Sequence, residues 1–147
     1  MIEAAGFYND DGIDYLKKRP DELLVDIHLP PINGWRASYQ KLRRRGAFDF
    51  PVLGVAAYVQ MENNGSDRVK DARIVLGGIA PSPLDITDAA EALRGHPLDQ
   101  EAIHAAAEAA YVRARPLDNT DFVMNWRKQM ARQYTIRALN ELKTPMS

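Results

Sequence analysis

The chain has 147 residues, 46% of them hydrophobic and 27% charged, with formal net charge −1 and no cysteine. That length suits one domain able to bury about two-thirds of its unfolded surface without disulfide or metal staples. Near-neutral charge argues against a body built to hold nucleic acid or a membrane surface, and the missing thiols exclude zinc–cysteine, iron–sulfur and cysteine-nucleophile chemistry within these residues.

The N-terminus, Met1-Ile2-Glu3-Ala4-Ala5, carries an early acid and neither a basic start nor an apolar stretch, so no secretory signal is read. A chain without cysteine is usual in the cytosol, and a cytoplasmic location is expected. Residues 1–20 read as a linker with one brief structured stretch near Ile13 to Leu16, leaning on something else, and residues 21–147 as the domain.

The domain begins with a strand pattern, Leu23-Leu24-Val25-Asp26-Ile27-His28-Leu29, stopped by Pro30-Pro31 because proline cannot donate to a ladder. Trp35 to Leu42 is a second strand, with neither side cleanly apolar. Val52 to Met61 is the strongest: Leu53, Val55, Ala57, Val59 and Met61 form an unbroken apolar face at period two. Its other face, starting at Val52 and Gly54, suggests cover on both sides near the start. The apolar stretch Phe48 to Met61 is too short to span a bilayer and is broken by Asp49, Pro51 and Gly54. Asn63-Asn64-Gly65 supplies the positive-φ residues of a tight hairpin into Val69 to Ile79, whose Ala72, Ile74 and Leu76 share a face.

After Pro83 the composition turns to alanine, glutamate, arginine and glutamine, and three helices are predicted. Thr87 or Asp88 caps a short one through Leu93, stopped by Gly95 and Pro97; Asp99 caps the next, Gln100 to Arg113, ended by Pro116. The last spans roughly Thr120 to Leu142, capped within Asp118-Asn119-Thr120-Asp121, where the acids suit the helix dipole better than acid–base catalysis. Phe122, Trp126, Met130 and Tyr134 recur every four residues, extended by Leu139 and Leu142, and read as a core stripe worth ~1.5–3 kcal/mol per buried side chain. Strands first and helices afterwards is the mark of an α+β fold: an antiparallel three- to four-stranded sheet backed by a three-helix layer.

Few residues suggest self-contained chemistry. His28, His96 and His104 form no pair at metal-ligand spacing, and Ser38, Ser66, Ser82 and Ser147 lack a nucleophile-elbow context. Gly77-Gly78 precedes Pro81 and Pro83, which lack the N–H groups of a phosphate nest, so its expected task is close approach of another backbone segment. The cluster Lys41-Leu42-Arg43-Arg44-Arg45-Gly46 is most suggestive: these cations face either water, as a solvated sheet edge, or an anion such as a cofactor phosphate, a flavin edge or an acidic partner.

In order along the chain, Asp21-Glu22-Leu23-Leu24, Leu29-Pro30, Tyr39-x-Lys41-x-x-Arg44-Arg45, Asp49-Phe50-Pro51 and Val55-Ala56 resemble the flavoprotein subunits of molybdenum hydroxylases. So do Leu76-Gly77-Gly78-Ile79-Ala80-Pro81-x-Pro83, Ala90-Glu91-x-Leu93-x-Gly95, Trp126-Arg127-Lys128 and Arg137-Ala138-Leu139. Order and spacing resemble the C-terminal domain of the medium subunit of aerobic carbon monoxide dehydrogenase, and Pro116 to Phe122 resembles the 4-hydroxybenzoyl-CoA reductase β-like branch.

The resemblance implies a domain that covers the flavin end of an FAD-binding half, in a subunit passing electrons between the iron–sulfur clusters of a small subunit and an outside acceptor or donor, with a molybdenum subunit as a further partner. It places Lys41, Arg44 and Arg45 nearest the flavin or a neighbouring subunit, where a desolvated cation would favour an anionic reduced flavin. The family's Gly-rich phosphate loops precede this domain and are missing from a sequence starting at Met1. Leu84 and Asp85 stand where the family often has arginine. A fragment, a split gene product or an excised domain is therefore expected, binding no FAD alone and catalysing nothing alone. It would expose an apolar patch at residues 1–20 and at the sheet edge near Trp35 and Tyr39. The alternative is a stand-alone interaction module, a homodimer through the same surface.

Overall fold

The computed structural model describes residues 1–46, 49–63, 65–118 and 122–143. Its sheet has four antiparallel strands in the order β1 (Trp35–Leu42), β2 (Leu53–Met61), β3 (Val69–Gly77) and β4 (Leu84–Asp85). The period-two reading of β2 holds: Leu53, Val55, Ala57 and Val59 are fully buried, facing Ala72, Ile74 and Leu76 of β3 across the same side of the sheet. The register shifts once, between Gln60 and Met61, just before the hairpin turn, whose Asn64 lies outside the described residues.

Three helices follow: α1 (Thr87–Leu93), α2 (Gln100–Arg113) and α3 (Met124–Glu141). α1 packs on β3, α3 packs on β1 and β2, and α2 bridges α1 and α3. Alanines set this spacing: Ala89, Ala90, Ala102, Ala106, Ala110, Ala131 and Ala138 are buried, with Ile103, Leu93 and Leu139 between them. The Asp99 carboxylate accepts from the Ala102 N–H at 2.9 Å, capping α2 as expected. α1 and α3 lie against one side of the sheet, with α2 packed on the two of them. The opposite side exposes Ala37, Tyr39, Lys41, Tyr58 and Arg73.

Four expectations need correction. Leu23–Leu29 is not a strand here; it runs between turns without a ladder partner, because pairing needs a second strand and these described residues offer it none. Neither Thr87 nor Asp88 caps α1: Ile86 occupies the N-cap and Thr87 is already helical. α3 begins at Met124, because Val123 is extended at φ −61° and ψ 140°; residues 119–121 of the expected cap lie outside the described residues.

The fourth correction concerns the core stripe. The buried line of α3 is Arg127, Ala131, Thr135, Ala138 and Leu139, one position beyond the aromatic recurrence. Small side chains let the helix approach the sheet, while half-buried Trp126, Met130 and Tyr134 close its flank. Strand β4 was not expected; Leu84-Asp85 pairs with Val75 and Leu76, and Asp85 bonds Arg73 at 2.7 Å.

Candidate functional site

The connections β1–β2 and β3–β4 leave the sheet at the same end, since Leu42 pairs with Leu53 and Gly54 with Gly77. The basic cluster is the outgoing limb of the first connection. Its loop is closed by one carboxylate. Asp49 accepts from the Arg45 N–H at 2.9 Å, from Arg45 Nη2 at 3.3 Å and from the Phe50 N–H at 2.9 Å, while Lys41 Nζ donates to the Asp49 carbonyl at 2.7 Å. The Arg45 guanidinium and N–H beside it hold the Asp49 carboxyl below the usual carboxylate range.

Lys41, Arg44 and Arg45 are thus gathered on one exposed hairpin end, as the sequence suggested. The structure adds that Lys41 and Arg45 are oriented by Asp49, which the sequence showed only as a break in the apolar stretch and as part of the Asp49-Phe50-Pro51 motif. The hairpin abuts an exposed tyrosine. Tyr39 lies over Gly54 so closely that its hydroxyl oxygen would be 2.8 Å from a Cβ there, so a side chain in place of this glycine would have to displace the exposed ring.

The second connection starts at Gly78, with φ 76°. A Cβ there would meet the Pro51 carbonyl oxygen at 3.1 Å, so the expected close approach is real. Arg127 ties both loops together. Its Nη2 donates to the carbonyls of Gly78 (2.5 Å) and Val52 (3.1 Å), and its Nη1 donates to Leu117 (2.7 Å). Only 2% of Arg127 is exposed, and burial lowers its pKa from the usual guanidinium value. Sequence reading gave this arginine no task. Its place in the small-residue line of α3, four before Ala131, was the available signal.

Beside Arg127 a cavity of about 250 Å³ is lined by Gly12, Tyr15, Gly78, Ile79, Pro81 and Leu117. That volume falls below the range of about 300–1,000 Å³ usual for small-molecule pockets, and Pro81 removes an N–H group from its lining. FAD does not fit within it; the exposed cations fit a contact to one edge of such a cofactor. Among the described residues no group of three or more histidines and carboxylates could hold a metal ion. The histidines stay apart, exposed on the N-terminal segment, the turn after α1, and α2. Buried Ser38 donates to Glu141 of α3 at 2.5 Å, a link between strand and helix.

The family profile for the CO dehydrogenase flavoprotein C-terminal domain matches residues 37–142. The chain belongs to that family. It is 30% identical over 142 residues to the carbon monoxide dehydrogenase medium chain of Hydrogenophaga pseudoflava, covering 95% of this chain and 47% of that one. The aldehyde oxidoreductase FAD-binding subunit PaoB of Escherichia coli strain K12 is 35% identical over 94 residues, 62% of this chain and 27% of that one. Among solved structures, reconstituted CO dehydrogenase from Oligotropha carboxidovorans superposes with a TM-score of 0.79 at 28% identity, over 95% of this chain and 47% of that one. The expected fold class is that of this CO dehydrogenase flavoprotein domain, with four strands and three helices. The chain spans about half the length of the CO dehydrogenase medium chains it matches. No helix among the described residues is long and apolar enough to cross a membrane.

Proposed function

We propose that this chain serves as the C-terminal cover of an FAD-binding subunit in a molybdenum hydroxylase, docking on the FAD-binding half and on iron–sulfur and molybdenum subunits of an electron-transfer oxidoreductase. One observation carries the reading: in a domain of this family, the Asp49-closed hairpin presents Lys41, Arg44 and Arg45 together at one end of the sheet. FAD, held by the other half, supplies the redox chemistry. This chain's part is to set cations against the flavin or a neighbouring subunit and to keep water from that edge. The finer placement beside 4-hydroxybenzoyl-CoA reductase β-like subunits rests on the wording of Pro116 to Phe122, and cytoplasmic location on cysteine usage.

The test joins the full chain behind the FAD-binding half of the Hydrogenophaga pseudoflava medium chain and measures flavin content and midpoint potential. The fusion should retain flavin. Lys41→Gln with Arg44→Gln should lower the two-electron potential by about 30 mV, the equivalent of roughly 1.4 kcal/mol. A fusion that takes up no flavin contradicts the cover reading. A flavin-loaded variant with unchanged potential removes the cations from the flavin edge.

A further inference from the structure

The N-terminal segment holds an alternating apolar stretch that belongs to no sheet of the described residues. Leu23, Val25, Ile27 and Leu29 alternate along it and are 87%, 88%, 73% and 84% exposed. Asp26 and His28 alternate with them, and their side chains meet at 3.2 Å, the same-side relation of residues two apart on an extended chain. Among the described residues none makes a backbone hydrogen bond with residues 23–31. A local turn precedes the segment, and its far end is tied to the sheet. Before it, Arg19 pairs with Asp21 and Glu22, and Lys18 donates to the Glu22 carbonyl at 2.8 Å. After it, the Trp35 N–H closes a turn on Ile32 at 2.8 Å, and Gln60 of β2 donates to the Asn33 carbonyl at 2.9 Å.

A row of four exposed aliphatic side chains beside unpaired N–H and C=O groups is a strong template for strand addition. The family profile starts at residue 37, after this segment, yet the Hydrogenophaga pseudoflava relative aligns over 95% of the chain and extends to about twice its length. The Oligotropha carboxidovorans structure also superposes over 95% of the chain. The segment thus lies within the span aligned to relatives about twice as long as this chain, while among the described residues nothing pairs with its backbone. Resting on the function proposed above, we infer that Leu23–Leu29 is the edge strand of a β-sheet whose other strands belong to the FAD-binding half, with the Leu23, Val25, Ile27 and Leu29 side chains buried in that half.

The experiment compares amide hydrogen exchange in the full chain alone and in the fusion behind the Hydrogenophaga pseudoflava FAD-binding half. Exchange within residues 23–29 should slow by about two orders of magnitude in the fusion. Val25→Pro with Ile27→Pro should leave the melting temperature of the chain alone unchanged, since no ladder is lost there, and abolish protection in the fusion. A fusion that binds flavin while residues 23–29 exchange freely overturns this inference and spares the cover reading. Neither flavin nor protection overturns both. Protection in the chain alone that grows with concentration, alongside a dimer in sedimentation, assigns the strand to a second copy and overturns the inference.

Discussion

The guanidinium of Arg127 donates to the carbonyl oxygen of Gly78 at 2.5 Å, from a helix that starts 46 residues further along the chain, at Met124. With Val52 and Leu117 as further acceptors, one buried cation replaces the water that three loop carbonyls would otherwise need. The geometry of the candidate site depends on this clamp. Arg127→Ala should cost about 3 kcal/mol, since three carbonyls lose a charged donor at once. Urea unfolding should report it as a lower midpoint at unchanged slope.

The two adjacent glycines should separate. Gly78→Ala forces a left-handed φ of 76° on a side chain whose Cβ meets the Pro51 carbonyl oxygen at 3.1 Å. A loss of about 1–2 kcal/mol is expected. Gly77→Ala has open space within 4 Å and should be near neutral. Thermal melts of the pair check this; equal losses would mean the loops do not meet as described.

The hairpin clasp should respond to acid. Asp49 is held below the usual carboxylate range by Arg45, so its contribution is present above the unfolded-chain pKa and is lost as pH falls through the lower folded value. The loop is then closed at neutral pH and opens in strong acid, below the usual carboxylate range. Proton NMR of the Arg45 and Phe50 amides across that titration should track one protonation. Asp49→Asn should remove the acid transition.

Much of the fold was legible because its signals are local. The period of β2 and the Asp99 cap each need only a few neighbouring residues. The α3 stripe misled because size was read as burial: Trp126 and Tyr134 are conspicuous, while the line that meets the sheet is made of alanine, threonine and an arginine. Leu23–Leu29 carries a strand's alternation yet is no strand in the structure, because alternation along a segment does not supply a ladder partner. At the site, the cations were visible and their organiser was not. Asp49 acts through a loop closure that spacing alone leaves open, and Arg127 acts on backbone carbonyls, which carry no sequence signal.

The core should depend on α2 as much as on the sheet. Ile103 is fully buried among the alanines joining α1 to α3. Ile103→Ala should cost about 2–5 kcal/mol, read by the same urea titration.

The proposal stands or falls on this domain covering a flavin that another part of the subunit holds. Equilibrium dialysis of the purified full chain against FAD tests it most directly. The account predicts no saturable uptake and a colourless protein. Stoichiometric, tightly held flavin in the chain alone would contradict it.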